Sequence, residues 1–214
     1  MKQLIAEKWK RYILLVISLF IMALGVSLSV KANLGTSPVS CVPYVISLFV
    51  PLTLGQVTII MHVVFILIQI VLLRKDFQVI QLLQLAVAFI FGYFTDFTMF
   101  LLSFVHPEHY LTQWMSAIIS FALIGLGVFL EVKANVIMLA GEGMMLAISK
   151  VFHVEFGKVK ISVDIVQVTL GVTISLIALH GLYGIREGSI AAAILVGSFV
   201  RFFNKKLSFV EKVL

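Results

Sequence analysis

The sequence predicts an all-α membrane protein, a polytopic helix bundle of two inverted-topology repeats. Each repeat contributes three spanning helices and one short re-entrant helix. Three observations lead there. The residues are 61% hydrophobic and only 12% charged, whereas a soluble domain is about half apolar and a quarter charged. Several apolar runs approach or exceed the roughly 20 residues that a bilayer core requires. Finally, Val-Lys-Ala-Asn is written twice, at 30–33 and 132–135, each time closing an apolar run.

The duplication extends well beyond four residues. LGVSLSVKAN (24–33) lies over LGVFLEVKAN (126–135), an offset of 102 residues from Lys31 to Lys133. At the same offset LGQVTI (54–59) lies over FGKVKI (156–161). A slip of three residues brings AVAFIFGYFTDF (86–97) onto AAAILVGSFVRF (191–202). The single transmembrane domain therefore divides into repeats 1–104 and 105–214.

The elements follow in order. The run 12–30 is too long for a secretory signal, and its tail recurs inside the chain, so it reads as a permanent helix. Its close on Asn33 has the character of a left-handed C-cap, as does Asn135 in the second half. The short piece 37–50 starts on Ser37-Pro38, a favourable N-cap and first-turn pair. At 1.5 Å per residue, its roughly 14 residues reach about 21 Å, short of a core of about 30 Å. Long runs 57–73 and 79–104 complete the first repeat. The second repeats the plan at 114–132, 139–151, 161–179 and 189–203, with Glu142 inside its short piece. Ala88 and Gly92 recur as Ala193 and Gly197, small-residue faces for close helix approach. The single Cys41 sits in an apolar stretch as a packing residue and excludes an internal disulfide.

If the short pieces dip and return, six helices span. Of the 16 lysines and arginines, only Lys31 and Arg186 then lie outside, which satisfies the positive-inside rule and puts both termini in the cytoplasm. Spanning short pieces would give eight spans and parallel repeats, and would move Arg74, Lys75 and Lys133 outside as well. The net charge of +6 marks the cytoplasmic rim and gives no sign of nucleic acid.

The candidate site residues cluster around the duplicated motif. Lys31 and Lys133 stand beside the starts of the short helices, where free backbone N–H groups and the helix dipole attract anions. With Asn33, Asn135, Ser37 and Glu142 they make a candidate substrate site with one mouth on each side. The competing reading has the lysines anchoring helix ends at lipid headgroups and the asparagines serving only as caps. Ionisable groups at membrane depth are costly unless paired or wet. Asp96 and Arg201 occupy matching repeat positions, so a salt bridge near the two-fold axis is expected. His62 and Asp164 also match, and read as a proton carrier or as a pair; alternatively His62 binds a neighbouring carbonyl. Glu131 and Glu142 face only Ser29 and Ser40 in the first half; they would bind a coupling proton or a substrate amine, or pair with Lys133 or Lys150.

The sequence holds no nucleophile elbow, phosphate loop or zinc-helix motif, so an enzyme, a metal site and a cofactor are not expected. The expected partners are the lipid bilayer, a small solute and a second copy in a homo-oligomer. ALGVSLSVKANLGTSPVSCVPYVIS (23–47) and LGQVTI (54–59) resemble the YczE/YitT-like family of bacterial integral membrane proteins. LGVFLEVKAN followed by GEGMMLAIS (141–149) resembles that family's second, glycine-rich motif, with Ala140 and Glu142 in place of its usual proline and acidic residue. The resemblance implies a small multi-pass protein of the bacterial inner membrane and little about substrate. The expected function is a transporter or pore for a small anionic or zwitterionic solute, with its site at the repeat interface. The alternatives are a non-transporting assembly or sensor subunit, and a translocator of lipid-linked substrates.

Overall fold

The computed structural model describes residues 2–207, with side chains from Trp9 onward. Among these residues there are eight α-helices and no strand. They are α1 (Lys2–Ala32), α2 (Pro38–Ser47), α3 (Leu54–Leu73), α4 (Leu83–Leu101), α5 (Tyr110–Ala134), α6 (Ala140–Phe152), α7 (Phe156–Leu179) and α8 (Glu187–Lys206). The fourth apolar run begins as a 3₁₀ turn over Val79–Leu82 and becomes α-helical only at Leu83.

Among the described residues, five segments are long and apolar enough to cross a membrane: Trp9–Ala32, Leu54–Asp76, Val79–Leu101, Tyr110–Ala134 and Phe156–Leu179. This is a membrane protein. The 20-residue α8 is less apolar and falls outside that set. With 10 and 13 residues, α2 and α6 reach only about 15 and 20 Å, so neither can span alone.

The helix ends follow from local chemistry. Asn33 (φ 56°) and Asn135 (φ 48°) both adopt the left-handed conformation that stops α1 and α5, the role favoured for an asparagine after the last turn. Gly35, at φ 100°, completes the turn into α2 where a side chain would meet Ser189. Thr53 and Gln56 form a full capping box at the start of α3. The start of α6 has no side-chain cap on Leu139 itself. There the Leu139 N–H donates instead to Glu131 Oε1, at 2.7 Å.

Helices α1 and α5 form the centre and run antiparallel. A Cβ on Gly25 would lie 2.9 Å from the Ser120 carbonyl and 2.8 Å from Ile124; one on Gly127 would lie 2.9 Å from the Ser18 carbonyl, against Met22. These contacts map onto each other at the 102-residue offset, and in both cases a small residue allows the backbones to approach. The other pairings behave likewise. Helix α4 packs on α1 as α8 packs on α5, α2 packs on α7 as α6 packs on α3, and α2 packs on α3 as α6 packs on α7. One pairing has no counterpart: α3 and α4 pack along their length, whereas α7 and α8 share no packed face.

Candidate functional site

Among the described residues, two matching polar niches lie beside the short helices, one in each half. In the second half Glu142 on α6 faces Lys160 and Asp164 on α7, with Glu131 on α5 behind it. Asp164 is 7% exposed, and its Oδ2 accepts from Lys160 Nζ at 2.6 Å, one helical turn away. Its Oδ1 has no hydrogen-bond partner. Glu142 is half-buried and lies within electrostatic reach of Glu131, Lys160 and Asp164. Three carboxyl groups thus stand near Lys160, and together they offer hydrogen-bond acceptors to a positively charged guest.

The first-half niche fills the same positions with two hydroxyl residues and a histidine. Ser40, Thr58 and His62 stand where Glu142, Lys160 and Asp164 stand in the second half. They line a small void of about 20 Å³ with Val26, Phe65 and Phe91. That volume is on the scale of one water molecule. His62 is 4% exposed, sits edge-on to both phenyl rings, and its Nδ1 has no partner. Between the niches, Gln69 Nε2 donates to Gln84 Oε1 (2.9 Å) and to the Ala140 carbonyl (3.2 Å), which ties α3, α4 and α6 together. A Cβ on Gly143 would come within 2.6 Å of the Gln84 amide and 2.8 Å of the Gln69 amide, so glycine there leaves room for this pair.

A wider cleft of about 560 Å³ opens at the Lys31 end of the bundle, with Asn33, Tyr44, Thr53, His106 and Glu108 on its walls. Both charge signs meet in it. Ser37 does not line this cleft; its hydroxyl donates to Ser40 Oγ at 3.0 Å. At the other end Lys133 Nζ lies 5.8 Å over the Phe129 ring.

Several sequence expectations are corrected. Asp96 and Arg201 do not pair: Asp96 accepts from Thr53 Oγ1 (2.6 Å) and from the Gly55 N–H (2.8 Å). Arg201 Nε donates to Gly197 O on its own helix, at 3.3 Å. Equivalent residues meet at a two-fold axis only if they lie on it, and α1 and α5 occupy that axis. His62 and Asp164 do not pair either, and no carbonyl takes the His62 ring nitrogen Nδ1. The start of α6, expected to attract a substrate anion, is taken by the Glu131 carboxylate. Lys150 pairs with Asp76 at 3.5 Å rather than with either glutamate. Lys160 was missed; its signal was the position four residues before Asp164, a spacing that puts both on one helix face.

Comparison with known proteins places the chain. A family of unknown function, DUF6198, matches residues 9–205. The chain belongs to that family. It is also 33% identical over 129 residues to the uncharacterized protein YyaS of Bacillus subtilis (strain 168). That match covers 58% of this chain and 61% of YyaS. No solved structure matches. For DUF6198 these matches supply an uncharacterised bacterial family and no substrate, so the chemistry rests on the niches themselves.

Proposed function

We propose that this chain is an inner-membrane carrier for a small zwitterionic solute, built from two inverted repeats. The observation that carries the proposal is the pair of matched niches flanking the antiparallel α1/α5 crossing, one with hydroxyls and a histidine, the other with carboxyl groups. Inverted repeats with short interrupted helices place their binding sites where the repeats meet. Glu142 and Asp164 supply acceptors for an ammonium group. Lys160, beside both of them, supplies the complementary charge for a carboxylate. A purely anionic solute fits less well, because Glu131 already fills the start of α6.

The topology belongs to the same proposal. Six spans, with α8 crossing beside α5, put both termini in the cytoplasm and leave only Lys31 and Arg186 outside. The antiparallel run of α1 and α5 supports this arrangement. The motif likeness to the YczE/YitT-like family supports the bacterial inner membrane.

Uptake into liposomes, screened with pooled zwitterionic and anionic metabolites, tests the function. The expected result is uptake that Glu142→Gln or Asp164→Asn abolishes and Ser40→Ala spares. Labelling of a cysteine placed at Lys75 from the periplasmic side would instead mean eight spans and parallel repeats. The unpacked side between α7 and α8 favours one other reading, a non-transporting subunit that docks a partner there. Co-purification of a stoichiometric membrane partner, with no uptake of any solute, would support that reading instead.

A further inference from the structure

We infer that the open seam between α7 and α8 closes, packing α8 onto α7 as α4 packs onto α3, with a Glu155–Arg201 ion pair holding it shut. The inference rests on the two-repeat reading and does not require transport.

The first-half seam shows what a closed one looks like. Gly55 on α3 is pressed against the Gly92 carbonyl of α4, and Ala88, one turn away, is fully buried. Asp96 clasps the end of α3 through Thr53 Oγ1 and the Gly55 N–H. Gln69 and Gln84 hold the opposite end.

Each part has a counterpart in the second half, and the counterparts stand apart. Gly157 matches Gly55, and a Cβ there would meet only its neighbour Glu155, at 4.0 Å. Gly197 matches Gly92, and a Cβ there would meet nothing within 4 Å. Ala193 matches Ala88 and is exposed. The space for a close helix contact is therefore already present on both faces.

The clasp is present too, with its charge reversed. Thr53 corresponds to Glu155, and Asp96 to Arg201. A hydroxyl facing a carboxylate has become a carboxylate facing a guanidinium, a stronger and bidentate pairing. Neither group uses it here. Arg201 reaches only a carbonyl of its own helix, and Glu155 forms no ion pair among the described residues.

Helix α8 is anchored in a way that permits the swing. Its first turn is fixed by Gly188 N–H to Leu34 O (2.8 Å) and by Arg186 Nη1 to Asn33 O (3.0 Å). Ala192 is buried beside Ala32 and Leu34. Toward Arg201 the helix rests on α5 alone, where Phe199 and Val196 meet Gly125. Helix α4 at the same level is held by both α1 and α3. A pivot near Gly188 moves Arg201 furthest, and in the two-repeat frame one seam shuts as its partner opens.

Spin labels at Lys158→Cys and Lys205→Cys, in a Cys41→Ser chain reconstituted in nanodiscs, report the seam while leaving the ion pair intact. Two distance populations are expected. Arg201→Gln and Glu155→Gln should each shrink the shorter one by about fivefold, the scale of a partly exposed ion pair. The exchanged pair, Glu155→Arg with Arg201→Glu, should restore it. A single long distance in every variant, or a short population indifferent to all these changes, overturns the inference. No solute enters the measurement, so the two proposals fail separately. Seam closure without uptake removes the carrier, and uptake without the short population removes the seam.

Discussion

The niche around His62 and the niche around Asp164 occupy matching places on the two halves, yet their chemistry differs. Ser40, Thr58 and His62 in the first are replaced by Glu142, Lys160 and Asp164 in the second. The backbone scaffold around them is shared: α2 packs on α3 as α6 packs on α7. The two seams differ in a second way, α3 and α4 being joined while α7 and α8 are not. Matched packing thus carries different charge in the two halves. The proposed carrier would use that separation, because two related conformations require matched packing while one bound solute requires a single charged site.

The largest expected effect tests the seams. In Gly92→Leu the new side chain starts 2.5 Å from Ile59 and 2.8 Å from the Gly55 carbonyl. Overpacking of this kind should cost about 3 kcal/mol in denaturant unfolding in micelles. Gly197→Leu, which meets nothing, should cost less than about 0.5 kcal/mol. Equal costs would abolish the contrast.

The next test concerns the starts of the short helices. Glu131→Ala removes the acceptor of a buried N–H and should cost about 2 kcal/mol. Its counterpart Ser29 makes one 3.2 Å bond to the Gly35 carbonyl, and Ser29→Ala should cost under about 1 kcal/mol. Thermal unfolding of the two variants side by side gives the ratio.

In the charged niche, Lys160→Met leaves Asp164 without its partner. The lysine side chain is 41% exposed, so the cost should be about 1.5 kcal/mol rather than that of a fully buried pair. Uptake should be lost as well. Thr58→Val on the other side should leave uptake unchanged, and a matching loss there would make the niches functionally alike.

The smallest effect belongs to Asp96→Asn. The amide still accepts one of two bonds, so about 1 kcal/mol is expected, seen as faster hydrogen exchange at the Gly55 amide. Arg201→Gln in the resting arrangement should leave exchange at Gly157 unchanged.

Much of this was legible in the sequence because it depends on length and local chemistry. The apolar runs gave the long helices, Lys-Ala-Asn gave two left-handed stops, and the 102-residue offset gave pairings that recur in the packing. The partners of the charged groups were not legible. Asp96 lies opposite Thr53 because of how α4 crosses α3, and a repeat alignment says nothing about distance from the symmetry axis. Glu131 found the start of α6 across an irregular turn, which no helical spacing encodes. Lys160 was passed over because its counterpart, Thr58, suggests no charge.

The modest apolarity of α8 has a consequence for how the protein is made. A helix that is a poor passenger for the bilayer on its own enters more readily when a partner is already there to cover it. The partners of α8, namely α5 and the turn around Leu34, lie earlier in the chain and leave the ribosome first. In the proposed six-span arrangement, membrane insertion of α8 is therefore tied to the folding of what precedes it. A lesion in α5 at Gly125 should be felt first as a failure of integration during synthesis, before any loss of stability in the finished protein.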